Sequence, residues 1–425
     1  MTYKAIVCRI HVRPHPNADR LQLGLVLGNQ VVVGLDTQDG DMGAFFPTDG
    51  QLSESFAKEH DLVGYTDPAT GKRAGGYFAA NRRVRSQKFR GSKSDGYWVP
   101  VSYFAFTGVK VTSLREGDQF DELNGVPLCQ KYVTPATSRA MQGKAKQSRG
   151  ETTMFRKHFE TEQFRFYADQ IPAGAYISIS EKIHGTSARL GHIIDNTKLK
   201  GIRNTLNWLL GKVGFKRVDN WKYLHGSRNV ILDGLLTDAY YKDDTFRRKA
   251  VGNLEGNLYK GEVVYGEIVG YVSSSVPIMA SQDTTSLKDK AIEKKYGPKM
   301  TYSYGMADGE CAFYVYRIAM VNEDGKAVDL SWNQVKARCA ELGIKHVPEL
   351  ADFIYYGDVV NLRETVERFV EGDSILDSRH IREGVCIRVE HPKMHNTFKH
   401  KSFAFGVLEG FLKEKDEAVD REEVA

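Results

Sequence analysis

Residues 179–187 read Ile-Ser-Glu-Lys-Ile-His-Gly-Thr-Ser and place one lysine, Lys182, between a strand-like run and a turn. The alternation of residues 175–180 predicts the strand, and Gly185 predicts the turn. A lysine acts as a nucleophile only after it loses its proton, and its ordinary pKa is about 10.4. A catalytic role for this lysine therefore requires nearby cations or burial that lower its pKa. The alternative is a surface lysine at the end of a strand, because so short a pattern is weak by itself.

The composition indicates a globular chain with more than one domain. The chain has 425 residues, of which 41% are hydrophobic, and its formal net charge is +5. This length corresponds to two or three domains. So mild a positive charge neither requires nor excludes nucleic acid, so the local clustering of basic residues matters more.

The cysteines predict a reducing compartment. There are five of them, far apart and never in a C-x-x-C pair, which argues against a disulfide framework or a structural zinc site. The N-terminus shows no signal-peptide pattern, and no run approaches the ~18 apolar residues of a membrane span. We therefore expect a cytoplasmic protein without a membrane partner, and a monomer.

Short strand-like runs separated by turns fill residues 3–123. They lie at residues 5–12, 21–26, 30–35, 43–47, 96–101 and 110–111. Gly28 and Asn29 separate the second run from the third and predict a hairpin. This spacing predicts a small all-β barrel of the OB type, and such barrels commonly bind nucleic acid on one face.

One stretch of this first region, residues 81–94, is strongly basic and has no acidic residue. Its basic side chains are Arg82, Arg83, Arg85, Lys88, Arg90 and Lys93. Phosphate contacts need this density of cations, and the aromatic residues Phe89, Tyr97 and Trp98 within or beside it could stack on bases. The stretch is therefore assigned to nucleic-acid binding, and the alternative is a solvated basic loop.

Helical and strand-like segments are mixed in the rest of the chain. Strands are predicted at residues 263–269, 312–320, 385–389 and 397–403, and helices at 205–213, 237–250, 329–342 and 359–370. This pattern predicts an α+β domain of mostly antiparallel sheets with flanking helices. The resulting division is an OB-like domain at 1–130, a basic linker at 131–152, the α+β domain at 153–412 and a charged tail at 413–425.

Strand parity places the charged residues near the end of the chain. Lys399 and Lys401 are two apart and point to one face of their strand, while Phe398 and His400 point to the other. A buried charge needs a partner. A shared polyphosphate site would provide a partner for both lysines.

Residues 182–185, Lys-Ile-His-Gly, resemble the nucleophile motif of the nucleotidyltransferases that carry AMP or GMP on a lysine. Five further motifs of that superfamily have counterparts here in the same order. They are an arginine motif at 227–229, a glutamate strand at 264–268, a purine-stacking aromatic strand at 313–316, a metal-binding glutamate motif at 382–388 and a two-lysine motif at 398–402. One such match is weak, whereas six in order over about half of the chain carry the resemblance.

This resemblance implies a role for each matching residue. Lys182 attacks the α-phosphorus of ATP, and Lys399 and Lys401 stabilise the charge on the phosphoryl oxygens. Glu383, with help from Glu267, holds Mg²⁺ or Mn²⁺. The implied nucleotide contacts are Glu181, His184, Gly185, Arg228, Glu267 and Tyr316.

Within the superfamily, the chain resembles the ATP-dependent RNA ligases that carry an N-terminal OB module. His184 stands where DNA ligases and capping enzymes usually have aspartate, and too few residues follow Lys401 for the C-terminal OB domain of those enzymes. Residues 15–21 and 84–91 also resemble OB modules. The resemblance implies the joining of a 3′-OH RNA end to a 5′-phosphate end, at nicks in a duplex, through lysyl-AMP and 5′-adenylylated nucleic acid.

One position departs from the family pattern, because Arg317 follows the aromatic motif where aspartate is usual. The preference for adenine over guanine is likewise implied only by the resemblance. Two alternatives remain open: a capping-type guanylyltransferase, and a non-catalytic RNA-binding protein with a transferase-like domain. The presence of Lys182, Glu383, Lys399 and Lys401 argues against the non-catalytic protein.

Overall fold

The structure, a computed structural model, describes residues 3–142, 150–195, 220–232, 245–285, 287 and 290–414. Within these ranges, mostly antiparallel sheets are combined with helices. The predicted α+β class is therefore confirmed. The helix predicted at residues 205–213 lies outside the described residues, as do residues 143–149 of the linker and 415–425 of the tail.

The N-terminal region, residues 3–131, consists mainly of short strands. They are β1 (Ala5–Arg9), β2 (His11–Pro14), β3 (Leu21–Val26), β4 (Asn29–Gly34), β5 (Met42–Phe46), β6 (Gly50–Leu52), β7 (Gly64–Thr66), β8 (Arg73–Gly75), β9 (Ser86–Phe89), β10 (Ser92–Asp95), β11 (Tyr97–Pro100), β12 (Gln119–Phe120), β13 (Glu122–Leu123), β14 (Val126–Pro127) and β15 (Cys129–Lys131). Its two largest sheets have the orders β11-β5-β1-β12 and β2-β3-β4. The described strands form separate small sheets and do not close into one barrel, so the OB-like barrel expected from the sequence stays a prediction.

Two local predictions in this region have clear outcomes. The hairpin is confirmed, because β3 pairs with β4 around Leu27 and Gly28, whose φ angles of 46° and 73° suit a two-residue turn. The prediction of a strand at residues 110–111 is wrong, because Val111–Ser113 forms a 3₁₀ turn.

The C-terminal region, residues 150–414, contains two large sheets. Its strands are β16 (Glu162–Gln163), β17 (Tyr176–Glu181), β18 (Thr186–Ile194), β19 (Trp221–Gly226), β20 (Ile231–Leu232), β21 (Glu262–Ser273), β22 (Val276–Pro277), β23 (Gln282–Asp283), β24 (Lys299–Met300), β25 (Cys311–Val321), β26 (Ala327–Asp329), β27 (Lys345–His346), β28 (Glu349–Ile354), β29 (Gly384–His391) and β30 (Met394–Lys401). One sheet has the order β16-β30-β29-β17-β28, and the other follows β20-β19-β18-β21-β25-β26. Each predicted strand of this region is present, although the strand predicted at residues 397–403 ends at Lys401 and Phe403 is helical.

Helices cover and connect these sheets. They are α1 (Glu54–Glu59), α2 (Pro135–Gln142), α3 (Phe164–Tyr167), α4 (Thr245–Val251), α5 (Lys290–Tyr296), α6 (Trp332–Leu342), α7 (Val359–Val370) and α8 (Phe403–Glu414). Ser331 caps α6 with a capping box, and Gly343 ends it in the left-handed conformation. The helix predicted at residues 237–250 is described only from Thr245, and α2 lies within the predicted linker. No helix of the described ranges is long and apolar enough to cross a membrane.

The segment that contains Lys182 connects the two large sheets. Strand β17 belongs to the first sheet and β18 to the second, so residues 182–185 pass from one to the other. The backbone N–H of Lys182 donates a hydrogen bond to the carbonyl oxygen of Gly384, 2.9 Å away. The segment is therefore fixed beside the beginning of β29, at the cleft between the sheets.

Candidate active site

A cavity in the cleft between the two sheets collects most of the predicted nucleotide-binding residues. Its wall includes Glu181, Lys182, Arg228, Glu267, Tyr316 and Lys399. The first sheet supplies residues from β17, β29 and β30, and the second from β18, β21 and β25. Residues far apart in the sequence thus face one space.

Lys182, on this wall, is paired with Glu383, which does not itself line the cavity, and neither do His184, Gly185 and Lys401. Lys182 Nζ lies 2.8 Å from Glu383 Oε1, and the two side chains are 15% and 1% exposed. Lys401 Nζ lies 3.6 Å from the same oxygen, and His184 Nδ1 lies 3.4 Å from Oε2. Glu383 is therefore the anion that Lys182, Lys401 and His184 surround.

The charge state of Glu383 follows from these neighbours. Burial raises the pKa of this carboxyl, but Lys182, His184 and Lys401 outweigh burial and lower its pKa to about 2. The carboxylate is ionised at neutral pH, and an anion at 2.8 Å favours the charged form of a lysine. A neutral Lys182 amine therefore requires that this ion pair be broken.

The turn after Lys182 is held by close contacts. The backbone N–H of His184 donates to Tyr304 Oη at 2.6 Å, and the imidazole lies edge-on to the rings of Tyr302 and Phe405. A Cβ on Gly185 would lie 2.9 Å from Glu267 Cγ and closer still to the carbonyl oxygen of Ile268. Glycine is required here by the approach of β21 rather than by a positive φ.

Tyr316 and Arg317 lie at a β-bulge. In the pairing of β21 with β25, Tyr265 is opposite Arg317 and Gly266 is opposite Val315, so Tyr316 is the extra residue. Both Tyr316 and Arg317 line the cavity, although they are neighbours in sequence. The bulge therefore places on one wall two side chains that regular alternation would separate.

Arg317, which stands where the family usually has aspartate, is paired with an aspartate from another strand. Its Nε donates to Asp329 Oδ1 at 2.8 Å, and its guanidinium lies 4.5 Å from the ring centroid of Tyr265. Asp329 ends the neighbouring strand β26 and also lines the cavity. A carboxylate is thus present on this wall, paired with Arg317 and supplied from another strand.

Several lining residues were not assigned to the site from the sequence. They include His158, Ser178, Ser180, Cys386, Arg388, His395 and Thr397. Alternation could have found most of them, because Ser178 and Ser180 share parity with Lys182, and Thr397 shares parity with Lys399. Burial, followed by the charges of Arg317 and two further arginines, lowers the pKa of His158 well below its usual value, so its imidazole is neutral.

The side chains of the described residues determine which kind of metal site they can form. Among the described residues, no group of three or more His, Cys, Asp or Glu side chains is arranged to hold a metal ion. Neither oxygen of the buried Glu383 accepts a well-formed hydrogen bond from a described residue. Mg²⁺ is usually bound by one or two carboxylates together with waters and phosphate oxygens. Glu383 fits that role, whereas the described residues form no all-protein metal cage.

The basic stretch of the N-terminal region divides into exposed and buried residues. Lys88, Arg90 and Lys93 are exposed, whereas Arg83 is only 4% exposed. Arg83 Nη2 lies 2.8 Å from Asp49 Oδ1, and its Nη1 donates to the carbonyl of Gly410 at 3.0 Å. The nucleic-acid contact predicted for Arg83 is therefore corrected, because this guanidinium is used between the two regions of the chain.

Three further basic residues of the stretch are partly buried or contact other parts of the chain. Arg82 Nε donates to the carbonyl of Leu52 at 3.1 Å, and Arg85 is half-buried. Lys93 Nζ lies 4.9 Å from the ring centroid of Phe403 and 3.7 Å from Glu371. Within the stretch, Lys88 and Arg90 are exposed on the hairpin of β9 and β10.

A family model described as RNA ligase matches residues 175–403, more than half of the 425 residues. The chain belongs to the RNA ligase family. The resemblance inferred from the six motifs is thereby confirmed, and the protein is an RNA ligase family enzyme. The matched residues run from the beginning of β17 to the first residue of α8, and so include every strand of the two sheets that form the cavity except β16.

Solved structures of an RNA ligase from Naegleria gruberi share the fold along nearly the whole chain. A mutant with AMP and Mn matches with a TM-score of 0.60 and 19% identity, covering 96% of this chain and 98% of that one. The same RNA ligase with PPi matches with a TM-score of 0.58 and 17% identity, covering 97% and 99%. The similarity includes the N-terminal region as well as the two large sheets. Among curated proteins, none matches this chain by sequence.

Proposed function

We propose that this RNA ligase uses ATP to join a 3′-OH RNA end to a 5′-phosphate end through AMP bound covalently to Lys182. The observation that carries the proposal is the position of Lys182. Its amino group contacts the buried Glu383 at 2.8 Å, on the wall of a cavity that also contains Lys399. A lysine nucleophile, a cation and a carboxylate are the groups that phosphoryl transfer to a lysine requires.

In the first step, Lys182 Nζ attacks the α-phosphorus of ATP, a P–N bond forms, and pyrophosphate leaves with the electrons of the broken P–O bond. The ion pair with Glu383 must be broken before attack, because only the neutral amine carries a lone pair. Lys399 on the cavity wall and Lys401 beside Glu383 stabilise the negative charge that spreads over the phosphoryl oxygens.

ATP and a divalent metal are the proposed cofactors. Structures of mutants of the Naegleria gruberi RNA ligase with ATP and Mn support this proposal. Bound Mg²⁺ or Mn²⁺ would be held by Glu383 with help from Glu267, and would supply positive charge beside the phosphate oxygens. Ser187 Oγ donates to Glu267 Oε2 at 3.1 Å and orients that carboxylate.

The purine and ribose are assigned to the opposite part of the cavity. Tyr316 would stack on the adenine, and Arg228 would contact the ribose or a phosphate. Glu181 would read the adenine amino group through its backbone, since its carboxylate accepts a hydrogen bond from the backbone N–H of Ile375 at 2.9 Å. His184 and Gly185 hold the turn that carries the nucleophile.

In the later steps, AMP moves from Lys182 to the 5′-phosphate of the nucleic acid, and the 3′-OH then attacks that phosphate and releases AMP. A nicked duplex is the proposed substrate. Lys88 and Arg90 are the proposed phosphate contacts, because they are exposed on the hairpin of β9 and β10. Arg82, Arg85 and Lys93 are less accessible to a phosphate, since each is half-buried or contacts another part of the chain.

The domain division proposed from the sequence is retained: 1–130, 131–152, 153–412 and 413–425. The five cysteines are free. Free thiols are what the proposed reducing, cytoplasmic compartment maintains. A monomer is proposed as the active form.

A sealing assay tests the function. Purified protein is incubated with ATP, Mn²⁺ or Mg²⁺ and a labelled nicked duplex whose 3′-OH strand is RNA, with an all-DNA nick and single strands as controls. The proposal expects a joined product from the RNA-containing nick. Transfer of label to the protein from GTP but not from ATP would instead identify a capping-type guanylyltransferase, and absence of any covalent nucleotide would indicate a non-catalytic protein.

A further inference from the structure

The N-terminal region contacts the helix that directly follows Lys401. Arg83 donates from Nη1 to the carbonyl of Gly410 at 3.0 Å and to that of Glu409 at 3.5 Å. Asp49, in the same region as Arg83, holds the other side of the guanidinium at 2.8 Å. A buried arginine of the first region thus fixes the third turn of α8.

The same turn of α8 also holds Lys401. Lys401 Nζ donates to Glu409 Oε2 at 3.0 Å, while Glu383 Oε1 lies 3.6 Å from the same amino group. Lys401 therefore lies between a carboxylate of the nucleophile site and a carboxylate of α8. The shorter contact is the one to Glu409, so that residue sets the direction of the lysine side chain.

Two glycines of α8 face the N-terminal region; Gly406 is too close to Ser86 to carry a Cβ without a shift, whereas a Cβ on Gly410 would make an ordinary contact. A Cβ on Gly406 would lie 2.9 Å from Ser86 Oγ, and one on Gly410 would lie 3.6 Å from Arg85 Cβ. Both glycines are on the face of the helix that meets β9. Lys93 adds a contact at the other end of α8, over the ring of Phe403. The helix is therefore held along its length.

A second connection reaches the opposite face of β30. His400, between the two lysines, accepts a hydrogen bond from Arg165 Nε at 3.0 Å. Nη1 of the same arginine donates to Asn29 Oδ1 at 2.6 Å and to Asp95 Oδ2 at 2.9 Å, both in the N-terminal region. The strand that carries Lys399 and Lys401 is thus held from both sides by contacts that involve this region.

From these contacts we propose that Glu409 and Arg83 are positioning residues for Lys401, and that the N-terminal region thereby takes part in lysine adenylylation itself. The inference rests on the proposed ligase function. A cation stabilises a transition state best when it is already in place. Holding Lys401 through Glu409, and Glu409 through Arg83, provides that preorganisation.

The first experiment measures single-turnover transfer of AMP from α-labelled ATP to the full-length protein at saturating ATP. Glu409→Gln and Arg83→Ala should each lower the rate by about tenfold, since each removes a charge-assisted hydrogen bond. Arg83→Lys should recover part of the rate. Arg115→Ala is the matched control, because Arg115 is an exposed arginine of the same region and lies outside the contacts with α8 described above. Unchanged rates in Glu409→Gln and Arg83→Ala would overturn the proposal.

A double-mutant cycle separates positioning from a general structural role. In a Lys401→Ala background, Glu409→Gln should cause no further loss, because its effect passes through Lys401. An equal loss in both backgrounds would overturn the proposal. Glu409→Gln is nearly isosteric and keeps the test informative if Arg83→Ala does not fold. Failure of the wild-type protein to form an adduct on Lys182 would instead refute the proposed function.

Discussion

Replacing Gly185 with alanine should slow adenylylation strongly without unfolding the protein. The new Cβ would lie 2.9 Å from Glu267 Cγ and closer to the carbonyl of Ile268, whereas ordinary contacts begin near 3.4 Å. The turn must therefore move away from β21 by more than half an ångström, and it carries Lys182 three residues earlier. A misplacement of about 1 Å can cost about a hundredfold in rate. We expect a loss between about tenfold and a hundredfold.

The assay is single-turnover AMP transfer from α-labelled ATP, with thermal unfolding measured on the same preparations. Gly252→Ala is the matched control, because Gly252 does not have a positive φ and a methyl group there would meet no heavy atom within 4 Å beyond its own neighbours in the chain. That variant should react at the wild-type rate. A fully active Gly185→Ala protein would refute the conclusion that this close approach sets the position of the nucleophile.

Two further predictions concern RNA binding and pH. Replacing Lys88 and Arg90 together with alanine should weaken binding to a nicked duplex and reduce the log–log salt slope by about 2, with adenylylation unchanged; an unaltered slope would remove them from the interface. Glu383 has a folded pKa of about 2 against an ordinary value of 4.5, so its stabilising contribution is present above about pH 4.5 and is lost as pH falls toward 2. The difference in unfolding free energy between wild type and Glu383→Gln should therefore shrink as the pH falls from about 5 to about 2.5, and a constant difference in urea unfolding would contradict this.

Local patterns in the sequence predicted much of the fold. The predicted helix at residues 359–370 has these bounds in the structure, with Asp358 as its cap. Alternation on β30 is confirmed by burial, since Phe398 and His400 are buried while Lys399 and Lys401 are half-buried. These features depend on neighbouring residues, so a pattern in the sequence is sufficient to find them.

Features that depend on distant contacts were not predictable in this way. The bulge at Tyr316 shifts the parity of β25, and nothing in the alternation of that strand indicates it. Arg83 was grouped with its basic neighbours, but its partner Gly410 lies 327 residues away in the sequence. The pairing of Arg317 with Asp329 likewise requires the register of β25 with β26.

The central claim is that AMP is carried on Lys182. The most direct measurement is to incubate the full-length protein with α-labelled ATP and Mn²⁺, digest it, and locate the nucleotide by mass spectrometry. The account predicts AMP on the peptide that contains Lys182, and none on a Lys182→Ala variant that is shown to be folded by its cooperative thermal unfolding. AMP on a different residue, or an adduct that survives in Lys182→Ala, would contradict it.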